Sequence, residues 1–297
     1  MASNTYEAVG NKLDMSEIIT NITPDDTPLF SRIGRTKATA TTHEWLEDTL
    51  GEPRANKQPE GYTYTTEAVT PRTRLYNYTQ IMHRGIHVTQ TQEVVLKYGL
   101  RSETAYQMQK TLKELAFDCE NALITQDTKE YGTMDEARQF GGLPYWIVTN
   151  SFEASGGKLT FDEINNALEQ TWNVGGKPSI LLVSPRSKRI ISTFTAGNVK
   201  YMEGNETRKL TQMIAVLETD FGTLQCLTDR FMTNDTIYGL SPEYMKKAFL
   251  RPFKQGDMPE ISDMYRKYVK GEWTLEMRAE KAHFKISGLD GAIPATS

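Results

Sequence analysis

The sequence predicts an α+β fold, and three observations carry that class. One unbroken helical pattern fills residues 102–125 (SETAYQMQKTLKELAFDCENALIT). Long stretches that alternate polar and apolar residues flank it, at 72–88 and again at 246–286. Between the helix and the second stretch lies a compact alternation of helix, strand and hairpin patterns over 159–240. Helix and strand segregated in this way, with an α/β block inserted, is the layout of a mixed fold with two lobes.

Composition sets outer bounds. With 297 residues, 38% apolar and 24% charged, the chain is long enough for a real core and rather polar. Its net charge of −4 argues against a protein whose main task is to neutralise phosphates. No run approaches the ~18 apolar residues of a membrane span, and residues 1–10 lack the layout of a signal peptide. The two cysteines, Cys119 and Cys226, read as buried free thiols.

Residues 1–50 form a polar arm. Thr23-Pro24 and Thr27-Pro28 bias it to extended backbone, and 36–42 is threonine-rich. Its apolar anchors (Ile18, Ile19, Leu29, Phe30, Ile33, Trp45, Leu46) are isolated, so it either lies along something else or is a partly disordered terminus. Residues 51–88 continue as an extended loop. Leu75, Tyr76, Tyr78, Ile81, Met82, Ile86 and Val88 suggest one long strand, with 62–69 as its partner across a turn at Pro71. A two-stranded ribbon with so little apolar surface is marginal alone and calls for a neighbouring molecule.

Thr89 and Gln92 pair as a capping box for a short helix that runs to Tyr98 and stops at Gly99. Ser102 caps the long helix, whose stripe is Ala105, Met108, Leu112, Leu115, Cys119 and Ala122. A glycine-punctuated loop covers 131–142, and LPYWIV (143–148) reads as a core strand. Gly156-Gly157 marks a domain boundary. Thr160 and Glu163 form a second capping box, and Phe161, Ile164, Leu168 and Trp172 line the helix that Gly175-Gly176 ends. SILLV (179–183) is a buried strand; Ser184 and Pro185 then open a helix with Ile190, Ile191 and Phe194 on its apolar side. A polar loop covers 195–210, and 214–219 with 223–227 form a hairpin around Asp220-Phe221-Gly222. Residues 236–240 make a short strand, which Ser241-Pro242 breaks before the long strands of 246–253 and 263–286.

Chemistry is hard to find. His83 and His87 are four apart but sit in a strand-like stretch with no third ligand, so no metal site is assigned. There is no G-x-S-x-G elbow, and the Gly-Gly-Lys triplets at 156–158 and 175–177 lack the rest of a phosphate loop. No catalytic residue and no cofactor is assigned.

Three groups of residues then carry a resemblance. They are Asp14–Pro24 (DMSEIITNITP) with Asp26-Thr-Pro-Leu-Phe30, Ile33-Gly34 and His43-Glu-Trp45; Asn77–Ile81 (NYTQI) with Tyr98-Gly99; and the helix positions Glu103, Ala105, Tyr106, Gln107, Lys113, Glu114, Leu115, Asp118 and Glu120. Together they resemble the major capsid proteins of tailed bacteriophages, closely over the first ~125 residues. The resemblance implies the capsid fold shared with herpesvirus capsid floors and encapsulins: an N-terminal arm (1–50), an extended loop (51–88), a peripheral domain with a spine helix (89–158 and 241–297) and an axial domain (159–240). It implies a shell-forming structural protein without catalysis, whose partner is itself in hexamers and pentamers. A separate scaffolding protein, a portal and a decoration protein are further implied partners, with packaged DNA touched only weakly. The virion is the implied location, after assembly in the host cytoplasm. Contacts between subunits are expected at Phe30, Arg35, Trp45, Lys57, Tyr62, Arg72, Arg74, Tyr76 and Tyr78. Some relatives cross-link a lysine to an asparagine; Lys57 lies in the loop, but no acceptor is identified. An encapsulin-like compartment and, remotely, an α/β enzyme using 159–240 are the alternative readings.

Overall fold

The computed structural model describes residues 27–51, 53, 55–63, 69, 71–95, 101–194 and 216–289. Expectations for residues 1–26, for 64–68 of the partner strand, for the helix end at 98–99 and for the loop at 195–210 lie outside them.

In chain order the elements are α1 (Pro28–Arg32), β1 (Gly34–Lys37), β2 (Thr42–Glu47), β3 (Thr73–Tyr78), β4 (Gln80–Thr89), α2 (Gln90–Val94) and α3 (Glu103–Thr125). There follow α4 (Leu143–Trp146), β5 (Ser151–Glu153), α5 (Phe161–Asn173), β6 (Ile180–Val183), α6 (Pro185–Phe194) and β7 (Val216–Thr219). The chain ends with β8 (Gly222–Thr228), β9 (Ile237–Leu240), β10 (Met245–Asp257), β11 (Met264–Met277) and β12 (Phe284–Ser287). They form a four-stranded sheet ordered β1-β10-β11-β4, a six-stranded sheet ordered β5-β12-β9-β6-β8-β7, and the two-stranded ribbon β2-β3.

The chain divides into two compact units. The first takes in residues 83–115 and 254–270, and its interior is small: Val88, Met108, Leu115 and Val269 are buried together with Thr104 and Thr111. Its α3 start is well tied. Ser102 Oγ accepts from the Ala105 amide at 3.1 Å, and the Glu93 carboxylate accepts from Ser102 Oγ and the Thr104 amide at 2.5 and 3.0 Å. Amides that a helix start leaves unpaired are thereby satisfied. Thr89 likewise caps α2, accepting from Gln92 N at 3.3 Å.

The second unit takes in 27–82, 116–253 and 271–289 of the described chain. One of its cores gathers around Trp273, whose ring lies 4.7 Å from Phe140 and 5.3 Å from Phe30 and whose indole N–H donates to Met82 Sδ at 3.3 Å. The other fills the six-stranded sheet. Ile164 and Leu168 of α5, Ile190 and Ile191 of α6, and Leu181, Leu224, Ile237, Phe284 and Ile286 of the strands are all buried there. Its local signals act as the sequence implies. Thr160 and Glu163 close a reciprocal capping box on α5. Ser184 Oγ accepts from Ser187 N at 3.2 Å to start α6. Gly175, at φ 89°, ends α5 in the left-handed region that suits glycine. The hairpin β7-β8 turns on Asp220-Phe221, with Thr219 opposite Gly222.

Four expectations change. LPYWIV makes the helical turn α4, since Pro144 suits a first helical turn and Gly142 N donates to Gln126 O at 2.9 Å, drawing the segment onto the end of α3. The α3 stripe holds at Met108, Leu115, Cys119 and Ala122 but shifts at two places, where Thr104 and Thr111 are buried and Ala105 and Leu112 exposed. Trp172 is likewise exposed, Thr171 taking the inward place on α5. The strand over 72–88 breaks at Thr79, and its inward face carries Asn77 and Thr79 rather than Tyr76 and Ile81. Among the described residues, its first half pairs with β2 instead of 62–69.

Candidate functional site

The β2-β3 ribbon carries four of the nine expected contact residues, Trp45, Arg74, Tyr76 and Tyr78, with Arg72 just before it. The strands run antiparallel from Thr42 opposite Tyr78 to Glu47 opposite Thr73. Side chains alternate between faces, so register decides everything here. The inward face holds His43, Trp45, Leu75 and Asn77; the outward face holds Glu44, Leu46, Arg74, Tyr76 and Tyr78.

The inward face is locked into its own chain. Asn77 Nδ2 donates to Gly141 O and Leu275 O at 3.1 and 2.8 Å, while its Oδ1 accepts from Gly141 N at 2.9 Å. Thr79 Oγ1 donates to Glu272 Oε1 at 2.7 Å, and that buried carboxylate also receives Arg138 and Arg251 at 2.8 Å each. His43 Nε2 and the Arg278 guanidinium meet the buried Glu276. Burial alone would push the Glu276 carboxyl up, but the His43 and Arg278 bonds outweigh it and hold it below 4.5. Trp45 stacks 5.2 Å from Trp146 and is 8% exposed, so this expected contact residue belongs to the interior. Phe30 is similarly occupied, between Trp273 and the Lys247 ammonium 4.2 Å from its ring centroid.

The outward face is different. Arg74 reaches Glu44 at 3.2 Å and Arg72 reaches Asp48 at 3.2 Å, both pairs well exposed and so worth little to folding. Tyr76 and Tyr78 lie edge to face at 5.5 Å, and Tyr78 continues to Tyr131 at 5.4 Å. Lys129 covers the Tyr76 ring at 3.7 Å. Burial, then the Tyr76 hydroxyl bond, raise the Tyr78 phenol above 10.0. Arg35 stands 5.8 Å over Phe249, away from the ribbon, and Lys57 and Tyr62 are exposed on an irregular segment.

Reading the sequence missed several residues of this surface. Leu46, Leu50, Ile81, Tyr131 and Met134 are exposed apolar side chains, and Ile81 lines a cleft of about 570 Å³ with residues 131–138. Leu46 was findable, since it has the opposite parity to Trp45; the loop residues had no periodicity to reveal them. Among the described residues no three His, Cys, Asp or Glu side chains converge as a metal group would need, and His83 and His87 stand exposed on β4.

Comparison with known proteins interprets this surface. The family described as SU10 major capsid protein matches residues 2–290. The major capsid protein of Escherichia phage Phieco32 is 21% identical, over 94% of this chain and 93% of that one. Among solved structures, a chain from Microbacterium phage Oxtober96 superposes with TM-score 0.65 at 13% identity, covering 95% of this chain and 96% of its own. The holo-SrpI encapsulin complex of Synechococcus elongatus PCC 7942 gives 0.64 at 12%, covering 97% and 95%. The structural likenesses establish the capsid fold, and the family match establishes what the fold is for. The chain belongs to the SU10 major capsid protein family and is a major capsid protein of a tailed phage, the protein of which the virion shell is made.

Proposed function

We propose that this protein assembles into hexamers and pentamers that close an icosahedral head around double-stranded DNA, without catalysing any reaction. The observation that carries the reading is the ribbon. Two strands with one face locked inward leave Leu46 63% and Tyr76 38% exposed beside Arg72 and Arg74. Such a surface is ill suited to a solitary subunit and well suited to lying over a neighbour, and obligate interfaces of this kind bury more than ~2,000 Å².

In this reading residues 1–50 are the arm, 51–88 the extended loop, 89–158 and 241–297 the peripheral domain, and 159–240 the axial domain, whose sheet β12 and the edge strand β5 extend. Arg35, Lys57, Tyr62, Arg72, Arg74, Tyr76 and Tyr78 contact other subunits. Half-buried Phe30 contacts other subunits with them, and Trp45, packed on Trp146, supports the ribbon from beneath. A separate scaffolding protein guides assembly in the host cytoplasm, a portal occupies one vertex, and a decoration protein binds outside. The acidic chain touches packaged DNA only weakly, since a basic lining would grip phosphates without regard to sequence. Deleting residues 51–71 tests the assignment: soluble subunits that form no shells in electron micrographs are expected, and normal particles would refute it.

A further inference from the structure

The second unit contains a charged pocket that the contact surface does not use. Glu120 of α3 is 0% exposed, and its two oxygens accept from the amides of Leu29 and Phe30 at 2.8 and 2.6 Å. Those amides belong to the first turn of α1, where no helical partner is available to them. Against Glu120 stands a second buried carboxylate, Asp229, which is 1% exposed. One Asp229 oxygen accepts from the Phe231 amide at 2.8 Å. The other, Oδ2, has no donor and no accessible surface. Lys247, 2% exposed, donates from Nζ to the Phe30 carbonyl. Arg35 and Cys119 also act on Lys247, and Asp118 acts in turn on Cys119.

Two carboxylates side by side without water repel strongly, and a donorless buried oxygen is costly. One hydrogen bond resolves both problems if it carries a proton. With that proton in place and Lys247 charged, the three buried groups sum to zero. We propose that Glu120 keeps a proton and donates it in a hydrogen bond to Asp229, and that this bond fastens α1 to α3, tightly in acid and more loosely as the solution turns mildly alkaline. The electrostatics agree. Burial and then the Asp229 bond push the Glu120 carboxyl up to about 8, against the lowering effect of the Phe30 and Leu29 amides.

The sign follows from linkage. The folded chain holds its proton to about 8 while an unfolded Glu releases it near 4.5, so stability is greatest below 4.5, declines as pH rises across that interval, and levels off above it. Lys247, brought down to about 8 by burial, acts with opposite sign only above that value, which confines a clean test to pH 5–8.

The test compares the full-length protein with Asp229→Asn, whose amide N–H stands in for the proton of Glu120. In the wild type, an infrared band of a neutral carboxylic acid should be present at pH 6 and fade toward pH 9. Between pH 5 and 8 the wild-type unfolding constant should rise relative to the variant by up to about tenfold per pH unit. Exchange of the Leu29 and Phe30 amides should accelerate with pH in the wild type beyond its rise in the variant. If Asp229→Asn fails to fold, the wild-type infrared band and its loss between pH 6 and 9 decide the question without a variant. Absence of the band at pH 6, its persistence in the variant, or parallel unfolding or exchange profiles would each overturn the proposal.

Discussion

His283 shows how one buried atom sets a pH response. Its Nδ1 accepts from the Ser241 amide at 3.1 Å, and its Nε2 is enclosed without a partner. Burial drives the imidazole down to about 4, so the folded chain keeps it neutral while an unfolded chain takes up a proton near 6.5. Stability from this residue is intact above 6.5 and lost as pH falls toward 4, by about 3 kcal/mol in all. In urea titrations at pH 7 and pH 4 the wild type should lose about that much stability relative to His283→Gln, in which the other titrating groups are unchanged. Asn77 makes the companion case. Replacing it by Ala strands the Gly141 amide and the Leu275 carbonyl, at a cost of about 3 kcal/mol measured by denaturant unfolding at neutral pH. An unchanged midpoint in that variant would mean that those groups find water.

At the scale of elements, the joint between α3 and α4 is closed by backbone packed on backbone. A methyl group added at Gly142 would stand 2.6 Å from Leu123 O and 2.8 Å from Gln126 O, backbone atoms that cannot swing aside. Gly142→Ala should therefore cost more than about 2 kcal/mol and lower the melting temperature. A wild-type melting curve for that variant would show that the loop can reroute. The same joint marks where reading the sequence stopped working. Caps were legible because Thr160 with Glu163, and Ser184 with Pro185, act through neighbours three residues away. The form of LPYWIV was not, because its geometry is set by packing on a helix end that periodicity does not reveal. The inward face of β3 and β4 was misread for a related reason. Asn77 and Thr79 look like surface residues until Gly141, Leu275 and Glu272, remote in sequence, supply their hydrogen bonds. The ribbon's existence was legible, but its partner strand was not, and the outward placing of Arg74, Tyr76 and Tyr78 comes from the register with β2.

For the whole molecule, the proposed contact surface separates the residues of shell formation from those of folding, and a substitution can test the separation. Leu46 lies on the outward face at 63% exposure and contributes little to either core. Leu46→Glu should leave subunit unfolding within about 0.5 kcal/mol of wild type yet reduce the yield of closed particles on a sucrose gradient. Equal yields would remove Leu46 from the contact surface. The isolation of β2 and β3 in a sheet of their own has one more effect. Among the described residues neither outer margin of that pair meets a further strand, so another extended chain could zip onto it and expose a waiting subunit to runaway fibre growth. Arg74 and Glu44 act as gatekeepers against such stacking, so exchanging both for Thr should shorten the lag before a concentrated, shell-free stock turns thioflavin-positive. Prompt enclosure in a particle is then a form of safekeeping for the polypeptide as well as for the genome.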